Sequence, residues 1–437
     1  MSNDFYPKVR DAEDALRESV RNQESLRCAS ARKGPLRIGI GLAGLQFGGC
    51  QINALDLAKE LTRRGHEVVA FAIHDKPLIS VAPLAEKLGI PLHILPAEKN
   101  PFLQARHVAT LVSDHRLDIV HVFGAWLAEP TTLALWSRPE TGLVVTNWTM
   151  DNFQGLPPMT PLILGTESLR EEATRAMRSA PVWLLEPPVD TTADQHDERA
   201  RAAFRNQWSV GGTTTLLVIV SRLDFDMKAE GIAHAIRTME LSRDPACQLA
   251  VVGGGDAQHA LTQLADEVNT ALGWRAVVMT GPLEDPSSAY SAADLVLGMG
   301  GAALRALAFQ KPLVVLGEGG FSKPFTPETV GYFLHEGFYG RGNVHDPVNS
   351  LHTSIVSTLA LARSSDLAQW GRQVLLTRFS LSRAADRLLT IYDIALKRTT
   401  SFRRVADATY VSARYLARRS RYAWQVVTRI SQPGSMK

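Results

Sequence analysis

The stretch LGMGGAALRALAFQKPLVVLGEGG (residues 297–320) contains a glycine-rich turn, a helical pattern that runs to Lys311 and an apolar extended run. A helix that begins at glycines presents backbone N–H groups with partial positive charge, which can hold a phosphate. Arg305 lies about one turn along that helix, and its side chain can point back toward the N-terminus. The stretch predicts a βα unit with an anion site at Gly300 and Gly301, beside Arg305.

Similar strand and helix patterns recur along the chain. The apolar runs LRIGIGLA (36–43) and HEVVAFAI (66–73) flank the helical stretch INALDLAKELTRRG (52–65). A second series begins at TTTLLVIVS (213–221), after the two prolines of VWLLEPPVD (182–190). Two successive series predict two doubly wound parallel sheets. Because such sheets bind ligands at the carboxyl ends of their strands, we expect the active cleft between the two halves.

The composition is typical of a soluble globular protein with two domains. The chain has 437 residues, of which 45% are apolar, and this length exceeds one ordinary hydrophobic core. Its three cysteines lack CxxC spacing, which argues against zinc and disulfides and indicates a reducing cytosol. We expect neither a secretory signal nor a membrane span. The net charge of +3 is too small to indicate a nucleic-acid partner.

Glycines cluster at the carboxyl ends of three predicted strands, in GLAGLQFGGC (41–50), GGG (253–255) and GMGG (298–301). None of these clusters matches GxGxxG or GxxxxGK[ST], which disfavours dinucleotide oxidoreductases and P-loop proteins. Glycines that simply make tight βα turns are the alternative for each cluster. The candidates for backbone contact with a phosphate-bearing ligand are Gly48, Gly49, Gly254, Gly300 and Gly301.

A loop with two cations, SRLDFDMKAEG (221–231), follows the first strand of the second series. Arg222 and Lys228 could neutralise a departing diphosphate, the arginine as a bidentate fork and the lysine as a point charge. Asp224 and Asp226 form a D-x-D pair that could hold a divalent metal. Because the neighbouring cations already supply positive charge, we expect no metal. An ordinary solvated loop is the alternative.

Several stretches together resemble family 4 glycosyltransferases of the GT-B fold. IGIGLAGLQFGGCQINALDLAKELTRRGHEVVAF resembles the opening of that family, and SRLDFDMKAEG resembles its Arg/Lys phosphate loop with one extra residue between the cations. LAVVGGGD, VVMTGPLEDPSSAYSAADLVLG and ALRALAFQKPLVV follow in the order of the family. RFSLSRAADRLLTIY (378–392) resembles its closing helix, which crosses back to the first domain. The similarity covers roughly residues 36–395.

The resemblance implies two Rossmann-like domains, with a nucleotide-sugar donor in the second and an acceptor mainly in the first. It also implies sugar transfer with retention at the anomeric carbon and without a metal or another cofactor. Arg222 and Lys228 would then be the catalytic residues. The expected segments are a polar extension (1–35), an acceptor domain (36–192), a donor domain (193–376), a crossover helix (377–396) and a basic amphipathic tail (397–437).

The sequence departs from the family pattern at several positions. The two motif glutamates of the family correspond to Leu297 and Arg305, and its sugar-contacting histidine corresponds to Trp148, or to Asn147 if the register slips by one. An active transferase with altered donor preference is one interpretation. A catalytically silent GT-B protein that binds a nucleotide sugar or a partner is another, and a sugar-nucleotide epimerase is a third. Arg305 could select the donor or pair with an acid such as Glu318.

Four single residues are further candidates for ligand contact. His121 ends a predicted strand, where it could touch the acceptor or simply pack. Asp151 follows a strand end and could be the general base of the acceptor, and Trp148 lies on the same side. Glu318 could bind hydroxyls of the donor sugar beside the Gly319 amide.

The tail from Lys397 to Lys437 carries ten Lys or Arg and a single acid, Asp407. Aromatic and apolar residues alternate with these arginines, which predicts a basic amphipathic helix. Its apolar face could pack on the domains of the chain or on a second subunit. A peripheral hold on anionic lipid at the inner face of the membrane is the other interpretation.

Overall fold

The computed structural model describes residues 34–46, 48–77, 80–149, 155–176 and 178–430. This part of the chain divides into two compact units. The N-terminal unit contains the described residues up to Gly165, Leu169–Glu186 and the chain from Ala384 onward. The C-terminal unit contains Thr166–Ser168 and Pro187–Arg383. Each unit is built on one β-sheet, so the two predicted sheets are confirmed.

The sheet of the N-terminal unit has seven strands, all paired in parallel. They are β1 (Arg37–Leu42), β2 (Glu67–Ile73), β3 (Leu92–Leu95), β4 (Ile119–Phe123), β5 (Gly142–Asn147), β6 (Leu162–Leu164) and β7 (Val182–Leu184). Their order in the sheet is β3-β2-β1-β4-β5-β6-β7. The central strands β4 and β5 are buried along their whole length, as in sheets covered by helices on both faces.

Five helices follow strands of this sheet, and short-range signals fix several of their ends. They are α1 (Gly49–Arg63), α2 (Ala82–Lys87), α3 (Pro101–Asp114), α4 (Ala125–Ala134) and α5 (Glu167–Arg175). The Asn100 side chain caps α3 by accepting a hydrogen bond from the Phe102 amide at 2.9 Å, and Pro101 occupies the first helical position. The helix start at Gly49 agrees with the glycine cluster seen in the sequence.

The sheet of the C-terminal unit has six strands in the order β10-β9-β8-β11-β12-β13. They are β8 (Thr215–Val220), β9 (Cys247–Val252), β10 (Val277–Gly281), β11 (Leu295–Gly298), β12 (Leu313–Leu316) and β13 (Ser322–Pro324). All pairs are parallel except β12 with β13. Successive side chains of β8 pack on opposite faces of the sheet. Leu216 and Val218 belong to one apolar cluster, and Leu217 and Ile219 belong to the other.

Within the described residues, eight helices accompany this sheet. They are α6 (Glu198–Trp208), α7 (Ala229–Ser242), α8 (Gln258–Leu272), α9 (Ser287–Ala292), α10 (Gly301–Ala308), α11 (Val330–Glu336), α12 (Pro347–Ser364) and α13 (Leu367–Arg378). Helices α7, α8 and α10 begin just after β8, β9 and β11. The loops at these starts therefore lie at one edge of the sheet, where the sequence placed its candidate site.

Two helices close the described chain, α14 (Leu381–Arg398) and α15 (Ser401–Ile430). Helix α15 packs on the N-terminal unit, since Val411 is fully buried in its core and Arg418 donates to Glu129 Oε2 at 2.5 Å. Packing on the chain's own domain, one of the alternatives for the tail, is therefore present for the described side chains, which end at Ser420. Among the described residues, no helix combines the length and apolarity needed to cross a bilayer.

Candidate functional site

The loop between β8 and α7 brings the two predicted catalytic cations close to each other. The Arg222 guanidinium forms an ion pair with Asp224 Oδ2 at 2.9 Å, and Lys228 is the last residue before α7. Burial, followed by the charge of Arg222, lowers the pKa of Lys228, and Asp224 opposes them, with a net pKa of about 8. Because Asp224 is already paired with Arg222, it offsets only part of this positive charge. The loop is thus suited to bind an anion.

Two glycines of the 253–255 cluster fix the shape of this loop. A Cβ on Gly253 would lie 1.8 Å from the Ser221 carbonyl oxygen, and one on Gly255 would lie 2.5 Å from that of Leu223. The tight-turn alternative therefore accounts for both of these glycines. A Cβ on Gly254 would meet nothing closer than the Gln258 amide oxygen at 3.2 Å, so the role proposed for Gly254 in donor binding does not conflict with its packing.

The start of α10 corrects one of the predicted phosphate contacts. Gly300 has φ +55° and ψ −130°, and its N–H donates to the Phe338 carbonyl oxygen at 2.6 Å. That amide is engaged inside the unit, so it is not free to bind a phosphate. Gly301 begins the helix, where first-turn N–H groups lack an intrahelical acceptor, and a Cβ there would meet no atom within 4 Å. Gly301 remains the candidate at this helix start.

Arg305 is held by an acid that the sequence did not single out. Its Nε donates to Asp194 Oδ2 at 2.9 Å, and the Asp194 side chain is only 5% exposed. The alternative of an acid partner is therefore correct, although the partner is Asp194 and not Glu318. Leu297, the other position aligned with a family glutamate, lies on β11 with its side chain fully buried in the core.

Glu318 follows β12 and is engaged by two neighbouring donors. Its Oε2 accepts from the Tyr339 hydroxyl and from Arg341 Nε, the latter at 2.9 Å. These hydrogen bonds, first that of Tyr339, hold the pKa of Glu318 below its ordinary value. The neighbouring Gly319 amide donates to Glu230 Oε2 at 3.1 Å. Glu318 is therefore part of an ordered network at this edge of the sheet.

Backbone contact between glycines holds the loop after β12 in place. A Cβ on Gly317 would lie 2.0 Å from the Gly340 carbonyl oxygen, and one on Gly319 would lie 2.1 Å from that of Gly342. Residues 317–320 and 339–342 therefore approach each other more closely than any side chain would allow. The network of Glu318 with Tyr339 and Arg341 depends on this approach.

His121 of the N-terminal unit is a packed residue. It is fully buried, its Nδ1 lies 2.8 Å from the Tyr392 hydroxyl and its Nε2 lies 2.7 Å from Thr146 Oγ1. Burial lowers the pKa of His121 to about 3, so the ring is neutral near pH 7. The expectation of a contact with the acceptor is corrected, because both ring nitrogens already have partners in the interior.

The other candidates of the N-terminal unit have different outcomes. Trp148 is partly buried, donates from Nε1 to the Leu185 carbonyl oxygen at 2.7 Å and packs edge-to-face on Phe123. Gly48 precedes α1 in extended conformation, and Gly49 is open on its Cβ side. These three residues stay predictions. Asp151 lies outside the described residues.

A metal site was not expected, and within the described ranges no group of three or more His, Cys, Asp or Glu side chains could hold a metal ion. Asp224 of the D-x-D pair forms an ion pair with Arg222. The expectation that the reaction needs no metal stays a prediction.

Three charged residues of the candidate site, together with Tyr339, whose hydroxyl donates to Glu318, were missed by sequence reasoning. Glu230 lies two residues after Lys228, in the first turn of α7. An acid at a helix start is a recognisable sequence signal, so Glu230 could have been found. Asp194 and Arg341 had no such local signal, because their partners Arg305 and Glu318 lie far away in sequence.

Two family models cover most of the region in which the resemblance was seen. Residues 47–187 match the model described as Glycosyltransferase Family 4, and residues 214–337 match the model described as Glycosyl transferases group 1. The chain belongs to the glycosyltransferases of the GT-B type. The resemblance and the fold class predicted from the sequence are thereby confirmed. No curated protein sequence matches the chain at a significant level.

Solved structures with this fold resemble the chain over most of its length. A glycosyltransferase from Rickettsia africae has a TM-score of 0.64 at 16% identity and covers 83% of this chain and 99% of its own. Anabaena HepE in complex with UDP and glucose has a TM-score of 0.60 at 15% identity, with 81% and 98% covered. The catalytic domain of Arabidopsis thaliana starch synthase IV, bound to ADP and acarbose, has a TM-score of 0.56 at 13% identity, with 83% and 100% covered. At these identities the likeness shows the fold.

Proposed function

We propose that the chain transfers a sugar from a nucleotide-sugar donor to an acceptor, with retention at the anomeric carbon and without a metal. The observation that carries the proposal is the pair of cations, Arg222 and Lys228, at the carboxyl end of β8. A half-buried ammonium beside a guanidinium is costly unless an anion compensates it. The diphosphate of a donor is such an anion.

The chemistry of the pair follows from where charge develops during transfer. Cleavage of the bond between the sugar and the diphosphate leaves negative charge on the leaving phosphate oxygens. Preorganised cations and N–H groups that face these oxygens stabilise the transition state, which is often the largest electrostatic contribution to catalysis. Arg222 offers a bidentate fork, Lys228 a point charge and Gly301 a helix-terminal amide.

Other features support parts of the proposal. The relatives with UDP or ADP bound support a nucleoside diphosphate as the donor moiety. Glu318, in its network with Tyr339 and Arg341, is suited to accept a hydrogen bond from a hydroxyl of the donor sugar. Trp148 is our candidate for the acceptor side. The free cysteines Cys50 and Cys247 are consistent with a cytoplasmic location.

Variants of the cationic loop test the proposal. Thermal unfolding is first followed with a panel of nucleoside diphosphates and their sugars, because a ligand at 100 times its Kd stabilises the native state by about 2.7 kcal/mol. Consumption of the best nucleotide sugar is then measured. Arg222→Ala and Lys228→Ala should each lower this rate by about 10²–10³-fold. Arg237→Ala on α7, which removes an exposed arginine paired only loosely with Glu240, is the matched control.

Each result has a definite meaning. Near-normal turnover in a folded Arg222→Ala/Lys228→Ala double variant would sink the assignment of the donor site. Binding of a nucleotide sugar without any turnover would instead favour a catalytically silent protein. Conversion of one sugar nucleotide into its epimer would favour the third interpretation.

A further inference from the structure

Phe225 is a large apolar side chain that lies in solvent at the tip of the cationic loop 221–231. It is 64% exposed, more than any other large apolar side chain among the described residues of the C-terminal unit. It lies three residues from each of the two cations, Arg222 and Lys228. A single exposed apolar residue is ordinary in proteins, so the exposure of Phe225 has meaning only together with the structure of the loop that carries it.

The backbone at Phe225 is held by hydrogen bonds to the segment that follows β9. The Phe225 N–H donates to Asp256 Oδ1 at 2.9 Å. Leu223 donates from its N–H to the Gly254 carbonyl oxygen at 3.0 Å, and its own carbonyl oxygen accepts from the Ala257 N–H at 2.7 Å. The backbone is therefore fixed, while the ring of Phe225 belongs to neither apolar cluster of the unit within the described residues.

Met227 gives the same loop an unusual backbone conformation. Its φ is +63°, in the left-handed region that residues other than glycine rarely adopt, while its side chain packs against the apolar core. The Ala229 N–H donates to the Asp224 carbonyl oxygen at 3.0 Å, which closes residues 225–228 into a turn. Strained backbone of this kind is concentrated at ligand-binding sites. The turn thus anchors Met227 in the interior and displays Phe225 to solvent.

The strand order β10-β9-β8-β11-β12-β13 defines two sides of the proposed donor site. Glu318, our candidate for contact with the donor sugar, follows β12 on one side of β8. Phe225 is bonded to Asp256, which follows β9 on the other side of β8. In a nucleotide sugar the diphosphate lies between the sugar and the nucleoside. With the diphosphate on the cations after β8 and the sugar toward β12, the nucleoside lies toward β9, on the side of Phe225.

We propose that Phe225 stacks on the base of the donor nucleotide and thereby determines that a nucleoside diphosphate binds more tightly than diphosphate alone. This inference rests on the proposed function, because it takes the diphosphate to be bound by Arg222 and Lys228. The two cations recognise the charge of the donor, and Phe225 recognises its nucleoside. Phe225 is thus a specificity-determining residue and has no part in bond cleavage.

The chemistry of an aromatic ring is suited to this role. Every nucleobase has a π face, and removal of an aromatic ring on which a base stacks lowers affinity by about tenfold. Inorganic diphosphate has no such face, so its binding does not depend on the ring. Because the backbone of Phe225 is already fixed by Asp256, little ordering of the loop is needed when the base binds.

Calorimetric titrations of the full chain with UDP, ADP and GDP and, separately, with inorganic diphosphate test the inference. Phe225→Ala should weaken binding of the tightest nucleotide by about tenfold and leave that of inorganic diphosphate unchanged. Phe225→Trp keeps an aromatic face and should retain nucleotide binding, and the nucleotide should quench its fluorescence more than that of the parent. Leu241→Ala, which shortens an exposed apolar side chain near the far end of α7, is the matched control and should change neither affinity.

Equal nucleotide affinity of the parent and Phe225→Ala, or an equal loss for nucleotide and inorganic diphosphate, would overturn the inference. If inorganic diphosphate binds too weakly to titrate, the fluorescence of Phe225→Trp decides, and the absence of additional quenching would overturn it. Nucleotide binding that depends on Arg222 but not on Phe225 would overturn this inference alone. A parent that binds none of the three nucleotides would overturn the proposed function together with it.

Discussion

Arg305 and Asp194 form an ion pair at 2.9 Å in which the acid is almost fully buried while the arginine remains 39% exposed. Burial raises the pKa of Asp194, and Arg305 lowers it again in part. The arginine therefore compensates an interior carboxylate of its own unit. This structural role competes with the expectation that Arg305 selects the donor, which stays a prediction, and the two are open to a direct test.

Arg305→Ala should lower the free energy of unfolding by about 1–3 kcal/mol, because it deprives a buried acid of a partner. The order of nucleotide-sugar affinities should stay as in the parent. Because the folded pKa of Asp194 lies above its unfolded value, this carboxyl group favours the fold below the unfolded pKa and loses that contribution as pH rises through the folded pKa. Arg305 reduces the loss only once the carboxylate is charged, so the deficit of Arg305→Ala should be largest above the folded pKa and shrink as pH falls below it. Urea unfolding at several pH values measures this, with Asp194→Asn completing a double-mutant cycle.

If a stable Arg305→Glu protein instead ranks the nucleotide-sugar donors in a different order of affinity from the parent, Arg305 selects the donor.

Lys228 predicts a pH dependence of donor binding. Its pKa of about 8 in the free protein means that the ammonium loses its proton at mildly alkaline pH. A bound diphosphate favours the charged form, so binding takes up a proton above that pH. Affinity for a nucleoside diphosphate should therefore fall as pH rises above about 8, by at most about tenfold per pH unit.

Lys228→Arg is the control, because arginine stays charged throughout this range. Calorimetric titrations between neutral and alkaline pH should show a slope for the parent and a flatter profile for this variant. Equal slopes in both proteins would contradict the role of Lys228.

The two glycines at the start of α10 should respond differently to a methyl group. Gly300 has a positive φ, so Gly300→Ala should cost about 1–3 kcal/mol of stability through backbone strain. A Cβ on Gly301 would meet no atom within 4 Å, so Gly301→Ala should fold normally. Its methyl group would lie between the helix terminus and the donor phosphate, so donor binding should weaken. Thermal unfolding and diphosphate titration separate the two effects, and unchanged affinity in Gly301→Ala would remove this helix start from the site.

The D-x-D pair gives a prediction about metal. Since Asp224 is ion-paired with Arg222, we expect donor consumption to survive EDTA and Asp226→Asn to have little effect. Rates measured before and after chelation test this directly. Complete loss that manganese or magnesium restores would favour a metal on the aspartates.

Two truncations of the tail distinguish its packing on the N-terminal unit from binding of anionic lipid. Ending the chain at Arg398 should destabilise the N-terminal unit, because it removes the buried Val411 and the bonds of Asp407 to the 159–160 loop. Ending it at Ser420 spares these contacts while removing Arg421, Arg429 and Lys437. If the distal tail holds anionic lipid, only the parent should sediment with phosphatidylserine vesicles, and added salt should weaken its binding. If the chain that ends at Ser420 sediments as well as the parent, the distal tail does not hold anionic lipid.

The sequence predicted the fold well because the deciding signals are local. Apolar runs, glycine turns and helical spacing each lie within a few residues, and together they predict two parallel sheets and the loops at their strand ends. The cationic loop 221–231 was predicted for the same reason, since both cations and the turn between them lie on one short segment.

The sequence could not show which polar groups find partners inside the fold. The Gly300 amide donates to Phe338, and His121 bonds Tyr392, which is 271 residues away. Such pairs depend on how distant segments pack, and the spacing of neighbouring residues carries no trace of them.

The contact of Gly317 and Gly319 with the backbone at Gly340 and Gly342 affects how any survey of natural or random variants should be interpreted. Any side chain at the first two positions would collide with a carbonyl oxygen, so these positions should tolerate almost no substitution. Their invariance would arise from packing even if the loop never touched a sugar. Evidence for substrate contact must therefore come from Glu318, Tyr339 and Arg341, whose side chains can be shortened without separating the two loops.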